Sequence, residues 1–219
     1  MPEPARERAA LPAAADLAAT VARLQRLTKI QTWIGELRGW RPDALAALNV
    51  GWGNPGLPCM GDRFVLPMHD AAGELVNVRG YMPTSSLKLV GLRGRPIELW
   101  PTPELTWPTS GELWVVEGEP DAIAARGGWP MTGTIAVPGA STWRPEWGAR
   151  LARWRRVHTL FDADDAGRML GERVAHDLAA AGADHVPHTW EEVTGGSVAD
   201  GFDLTDWLLA NPGLLVPPV

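Results

Sequence analysis

The second half of the chain alternates between short apolar runs and amphipathic stretches. Apolar runs typical of strands lie at about 112–116, 133–137, 155–161 and 184–189. Helical periodicity lies near 120–126, 145–153, 165–181 and 204–210. Strands that alternate with helices through short connections predict βαβ units, and therefore a parallel sheet flanked by helices.

The first half opens with a helical pattern. Apolar residues recur near helical spacing from Asp16 to Leu37, and Asp16 is the predicted N-cap of this helix. A second short helix is predicted over Pro42–Leu48, because proline is favoured in the first turn of a helix.

A β-rich stretch follows these helices. Arg63–Met68 and Leu75–Tyr81 are predicted strands joined by a turn, and a third strand is predicted within Leu87–Leu92. The prolines at positions 101, 103 and 108 then predict a linker. The resulting division is a helical region over 1–48, a β-rich subdomain over 49–110, an α/β domain over 111–212 and a tail over 213–219.

Charge is distributed unevenly over the 219 residues, whose net charge is −6. Residues 1–110 contain 12 basic and 10 acidic side chains, and residues 111–219 contain 8 and 16. The single cysteine, Cys59, excludes a zinc ribbon or a disulfide framework within this sequence. No apolar run approaches a membrane span and no secretory signal is visible, which predicts a soluble cytoplasmic protein without a membrane partner.

Carboxylates follow two of the predicted strands. Glu117 and Asp121 come after the run at 112–116, and Asp162 and Asp164 come after the run at 155–161. Ligands of parallel sheets bind beyond the carboxyl ends of the strands. Crowded acids repel each other unless a cation is present, and hard divalent cations prefer oxygen ligands. An isolated Asp-x-Asp could equally be an N-cap and a solvated turn, but two clusters together predict a metal and phosphate site.

The same residues resemble a known domain. Glu117-Gly118-Glu119-Pro120-Asp121-Ala122, followed by Phe161-Asp162-Ala163-Asp164-Asp165-Ala166-Gly167-Arg168, resembles the TOPRIM domain of bacterial and phage primases, type IA and II topoisomerases and some nucleases. Residues 201–208 resemble the Asp-x-Asn-Asp/Glu-Tyr/Trp-Leu segment of phage and plasmid primases, with Thr205 in place of the usual asparagine. Upstream, Arg63–Trp100 resembles the small basic β subdomain that precedes TOPRIM in primases.

The resemblance implies roles for the acids. Glu117 would act as a general base or as a metal-positioning carboxylate, and Asp162 and Asp164 would ligate Mg²⁺ or Mn²⁺. Asp121 and Asp203 would support the cluster, in one version through a second metal ion. The resemblance also implies that basic residues of the β-rich subdomain hold the template and the incoming nucleotide. Arg79 and Lys88 match those positions, and Arg93 and Arg95 are nearby, where ordinary surface charge is an equal alternative.

The predicted function is that of a DNA primase catalytic core, which makes short RNA primers on single-stranded DNA from NTPs. Alternatives are a TOPRIM metal-dependent nuclease and a non-catalytic replication or interaction module. A topoisomerase is disfavoured because the only tyrosine, Tyr81, lies outside a suitable setting. The sequence contains neither the cysteines of a zinc ribbon nor a helicase phosphate-binding loop, which predicts a helicase or template-recognition domain or partner.

Overall fold

Residues 8–214 and 216–218, which the computed structural model describes, form two four-stranded sheets. The first sheet is antiparallel and has the order β1-β2-β3-β4. Its strands are β1 (Gly51–Gly53), β2 (Arg63–His69), β3 (Leu75–Tyr81) and β4 (Leu89–Gly91). The second sheet is parallel and has the order β6-β5-β7-β8. Its strands are β5 (Glu112–Glu117), β6 (Gly133–Val137), β7 (Arg156–Leu160) and β8 (His185–Pro187).

Helices precede the antiparallel sheet and flank the parallel one. The leading helices are α1 (Ala14–Arg26), α2 (Thr28–Arg38) and α3 (Pro42–Ala47). The later ones are α4 (Pro103–Thr106), α5 (Glu119–Gly128), α6 (Pro145–Leu151), α7 (Asp165–Ala180), α8 (Trp190–Thr194) and α9 (Leu204–Ala210). Among the described residues, no helix combines the length and the apolar character needed to cross a bilayer.

Strand β5 separates two apolar layers, because successive side chains of a strand point to opposite faces. Leu113 and Val115 face a core that α6 and α7 complete. Trp114 and Val116 face a second core, which also contains buried side chains of the leading helices and of β2. The two sheets therefore share one apolar core.

A hydrogen bond reinforces this shared core. The indole N–H of Trp40, which is 1% exposed, donates to the carbonyl of Pro120 at the start of α5 over 3.0 Å. Trp100 also joins the sheets, since its backbone pairs with Ala136 of β6 and its indole donates to the carbonyl of Pro67 in β2 over 2.8 Å. Residues 101–108, which were predicted as a linker, include the one-turn helix α4.

The expected fold class is confirmed: a parallel sheet flanked by helices follows a small helical and β-rich unit. The single helix expected from Asp16 to Leu37 is wrong, because the chain breaks at Leu27, where ψ is 68°. The amide side chain of Gln31 donates to the carbonyl of Leu24 over 2.7 Å and satisfies a carbonyl near the break. The N-cap is Ala13 rather than Asp16, since good helix formers extend the helix backwards.

Two elements besides α4 were absent from the predicted pattern. Strand β1 has the sequence Gly-Trp-Gly, which lacks the branched residues typical of strands. Its Gly51 is needed because an added Cβ would lie under 3.0 Å from the side chain of Thr20 on α1. Helix α8 is only five residues long and begins with a capping box between Thr189 and Glu192. The domain boundaries stay a prediction.

Candidate active site

The predicted acids lie where strands end and helices begin. Glu117 is the last residue of β5, and Gly118 turns the chain into α5 with a φ of 78°, a conformation that glycine adopts without strain. Asp162 follows β7 by two residues, and Asp164 caps α7 by accepting the N–H of Gly167 over 2.7 Å. The turns thus place Glu117, Asp162 and Asp164 at the carboxyl edge of the parallel sheet.

Electrostatics link all five acids. Burial raises the pKa of Asp162 to about 9, with further contributions from the charges of Asp121, Glu117, Asp203 and Asp164. Burial and the charge of Asp164 likewise raise the pKa of Glu117, although neighbouring backbone amides oppose the shift. Mutual repulsion of this kind is relieved when a cation binds.

The carboxylates fit a divalent cation chemically. The Oε2 atom of Glu117 is buried and has no hydrogen-bond partner among the described residues, and such an atom costs free energy unless it is paired. Within residues 8–214 and 216–218, no three His, Cys, Asp or Glu side chains are already arranged as a metal-binding group. Glu117, Asp162 and Asp164 are the residues that the TOPRIM resemblance implies would hold the ion.

Asp121 differs from these three acids because side-chain donors, from Arg38 and Thr205, contact it. Its side chain is 5% exposed, and its Oδ1 accepts the backbone N–H of Thr205 over 3.2 Å and the hydroxyl of Thr205 over 2.5 Å. Thr205, which replaces the asparagine of the resembling motif, therefore holds Asp121 in place. Burial and the charge of Asp203 raise the pKa of Asp121 to about 7, against the opposing effects of Arg38 and Thr205.

Arg38 joins the site although nothing in the local sequence pointed to it. It is the last residue of α2, and its Nη2 lies 3.4 Å from Oδ1 of Asp121 and 3.3 Å from Oδ2 of Asp203. Asp203 also caps α9 by accepting the N–H of Asp206 over 2.7 Å. The leading helices thus supply a cation to the acidic edge of the parallel sheet.

The predicted nucleotide-binding residues divide into two kinds. Arg79 is 11% exposed, and its Nη1 donates to the buried Glu119 over 2.5 Å and to the carbonyl of Pro138 over 3.3 Å. Lys88 and Arg93 are exposed. Arg95 donates from Nε to the carbonyl of Ala9 over 2.7 Å. A nucleotide contact stays a prediction for all four, and the contacts of Arg79 give it a structural role as well.

Removing the Arg79 charge is expected to destabilise the fold. Glu119 is fully buried, its Oε2 has no hydrogen-bond partner among the described residues, and burial raises its pKa against the opposing charge of Arg79. Arg79→Met is expected to lower the free energy of unfolding by about 3–5 kcal/mol, since it leaves a buried acid unpaired. Urea denaturation at neutral pH measures the change.

Two further variants separate this effect from loss of charge in general. Arg93→Met removes the same charge from an exposed position and is expected to change stability by less than about 0.5 kcal/mol. Arg79→Met combined with Glu119→Leu is expected to recover most of the loss. A cost of Arg79→Met below about 1 kcal/mol would show that the Arg79–Glu119 pair does not stabilise the fold.

A cleft adjoins the carboxylates on the side of β8. It has a volume of about 500 Å³, and Asp162, Asp164, Arg168 and His188 are among its lining residues. Trp190 forms part of the same wall and donates its indole N–H to the carbonyl of Phe161 over 2.8 Å. A space of this size is in the range of small-molecule sites.

Solved structures of primases are similar to this chain, and three of them illustrate the likeness. The Escherichia coli primase catalytic core is 17% identical, with a TM-score of 0.66, and the match covers 89% of this chain and 73% of that one. The DnaG primase catalytic domain bound to single-stranded DNA is 17% identical, with a TM-score of 0.62 and coverages of 90% and 77%. The Aquifex aeolicus primase, comprising zinc-binding and RNA polymerase domains, is 18% identical, with a TM-score of 0.62.

The likeness extends over most of this chain but over a smaller share of the primase structures. The match covers 90% of this chain but only 58% of the Aquifex aeolicus structure. No protein-family model matches the sequence, and no curated protein matches it either. At such low identity the likeness is one of fold, and the fold of this chain is that of DnaG-type primase catalytic cores.

Proposed function

We propose that this chain is the catalytic core of a DNA primase with a TOPRIM-type site, which joins ribonucleotides on a single-stranded DNA template. The observation that carries the proposal is a buried carboxylate oxygen of Glu117, beside Asp162 and Asp164, that has no hydrogen-bond partner within the described part of the chain. The primase-like fold supports the same reading. Mg²⁺ or Mn²⁺ is the proposed cofactor, because crowded carboxylates favour hard divalent cations.

The chemistry needs a deprotonated 3′-hydroxyl and a neutralised triphosphate. A divalent ion supplies charge neutralisation and polarises phosphoryl oxygens when it is bound. Asp162 and Asp164 hold that ion at the end of β7. Glu117 accepts the proton of the attacking hydroxyl or orients the ion, and a carboxylate with a raised pKa is a stronger base. Lys88 and Arg93, which are exposed, would contact the triphosphate or the template backbone.

The proposed partners follow from the same reaction. The template is single-stranded DNA and the substrates are NTPs. Because this sequence holds neither the cysteines of a zinc ribbon nor a helicase phosphate-binding loop, template recognition and unwinding are assigned to a further domain or to a partner protein. Weak priming by this chain alone is therefore expected. The cytoplasm is proposed separately as its compartment.

Incubation with single-stranded DNA, labelled NTPs and Mg²⁺ or Mn²⁺ tests the proposal. Oligoribonucleotides that depend on the template are the expected product, and they are expected to disappear in Asp162→Asn. Cleavage of the DNA without synthesis would replace the primase with a metal-dependent nuclease, which uses the same carboxylates. Neither product, in a protein that binds the metal, would indicate a non-catalytic replication module.

A further inference from the structure

The acidic edge of the parallel sheet contains an internal positive charge. The guanidinium of Arg38 lies between Asp121 and Asp203, with its Nη2 within 3.4 Å of an oxygen of each. The Arg38 side chain is 21% exposed, so water screens these contacts only in part. A divalent ion that bridged Oδ1 of Asp121 and Oδ2 of Asp203 would compete with Arg38 for the same two oxygens.

The surroundings fix this charge in position. Oδ1 of Asp121 accepts from Thr205 as well as from Arg38, while Oδ1 of Asp203 accepts from the first turn of α9. The Nε atom of Arg38 is buried without a hydrogen-bond partner among the described residues. An arginine with an unsatisfied buried donor is retained at a cost in stability, which the attraction of two carboxylates offsets.

The two halves of the acidic cluster therefore differ. Asp121 and Asp203 have a cation from the protein itself. Glu117 has an oxygen without a hydrogen-bond partner among the described residues, and Asp162 is buried and repelled by four neighbouring acids. Among the described residues no cation forms an ion pair with Glu117, Asp162 or Asp164, and the charge of Arg173 acts on Glu117 only from a distance. A metal ion from solution is therefore needed beside Glu117, Asp162 and Asp164. Beside Asp121 and Asp203, Arg38 already supplies the positive charge.

We infer that the Arg38 guanidinium occupies the place of a second metal ion, so that the site takes up one divalent cation, at Glu117, Asp162 and Asp164. The inference rests on the metal centre of the proposed function and specifies its stoichiometry. It also makes Arg38 a positioning residue, which fixes the negative charges of Asp121 and Asp203 without a metal. Loss of the charge at Arg38 should then open a second metal position.

Counting bound Mn²⁺ on the full chain tests the inference without any assay of activity. Electron paramagnetic resonance of free Mn²⁺ and calorimetric titration at pH 8 give the number of ions per chain. One ion is expected for the wild type and two for Arg38→Gln. Arg26→Gln removes the same charge from an exposed position on the neighbouring helix α1 and is expected to keep one ion.

A second variant identifies where the additional ion binds. Asp203→Asn keeps a side chain that caps helices well, so α9 should persist. Alone it is expected to leave the count at one, and combined with Arg38→Gln it is expected to reduce the count from two to one. If Arg38 only fastened α2 to α9, Arg38→Gln would lower the melting temperature and leave the count unchanged, which would overturn the inference.

The remaining outcomes separate this inference from the proposed function. Two ions in the wild type would overturn the inference and leave the metal-dependent primase intact. No binding in the wild type would overturn the proposed metal centre and the inference together. If Arg38→Gln fails to fold, the Asp203→Asn count decides: a fall from that of the wild type would show that Asp203 already ligates an ion, which contradicts the role given to Arg38.

Discussion

Glu117→Gln is expected to reduce template-directed dinucleotide synthesis by at least about 100-fold, the usual contribution of a general base. Glutamine has nearly the shape of glutamate, but it can neither accept the proton of the attacking hydroxyl nor contribute negative charge to a metal. The fold should persist, because burial and the charge of Asp164 already disfavour the ionised glutamate. Quantifying labelled dinucleotides with saturating NTPs and Mg²⁺ measures the loss.

A matched control lies on the helix that follows the site. Glu172 is exposed on α7, and Glu172→Gln makes the same chemical change away from the strand ends. It is expected to retain synthesis within about twofold, as substitutions at exposed positions usually have small effects. A Glu117→Gln protein that is folded and as active as Glu172→Gln would remove Glu117 from the reaction.

Gly167→Ala is expected to disrupt the same edge by steric means. A Cβ added at Gly167 would lie under 3.0 Å from the carbonyl oxygen of Asp162 and 3.0 Å from its carbonyl carbon and amide nitrogen. These are backbone atoms, which cannot rotate away, so the turn between β7 and α7 must move. Overpacking of this kind costs about 1–3 kcal/mol, and the displaced Asp162 should bind Mn²⁺ at least about tenfold more weakly, which corresponds to about 1.4 kcal/mol.

Gly171 provides the comparison one turn later in the same helix. Its added Cβ would meet the ring of Phe161 at 3.5 Å, an ordinary contact. Gly171→Ala is therefore expected to stabilise the protein by up to about 1 kcal/mol through helix propensity. Urea denaturation and Mn²⁺ titration of both variants measure the difference. Equal stability and equal Mn²⁺ affinity in the two would contradict the close packing of Gly167 against Asp162.

Local patterns were sufficient to predict most of the strands. The strands at 75–81 and 133–137 lie where the sequence placed them, because their apolar runs are bounded by turn residues. The helix break at Leu27 escaped prediction because the periodicity of apolar residues continues through it. Strand β1 was not predicted because its glycines are required by close contact with α1. That contact exists only in the packed structure and leaves no local sequence pattern.

The site residues likewise divide into those that the local sequence predicts and those that only tertiary packing brings together. Acids that follow buried strands are brought together by the topology of a parallel sheet, so Glu117 and Asp162 could be predicted. Arg38 lies 83 residues from Asp121 and 165 from Asp203, and only tertiary packing brings them into contact. It is the last residue of α2, before a left-handed glycine, and the sequence around it does not predict an acidic partner.

The core shared by the two sheets constrains how such a module can be exchanged between proteins. A recombination junction near residue 110 would transfer the carboxylates but leave Trp114 and Trp129, which are 2% and 0% exposed, without the side chains that cover this layer. It would also separate Arg38 from Asp121 and Trp40 from Pro120. Chimaeras that inherit residues from α1 onward keep both the apolar cover and the internal cation, so the smallest transplantable unit is larger than the α/β segment that carries the acids.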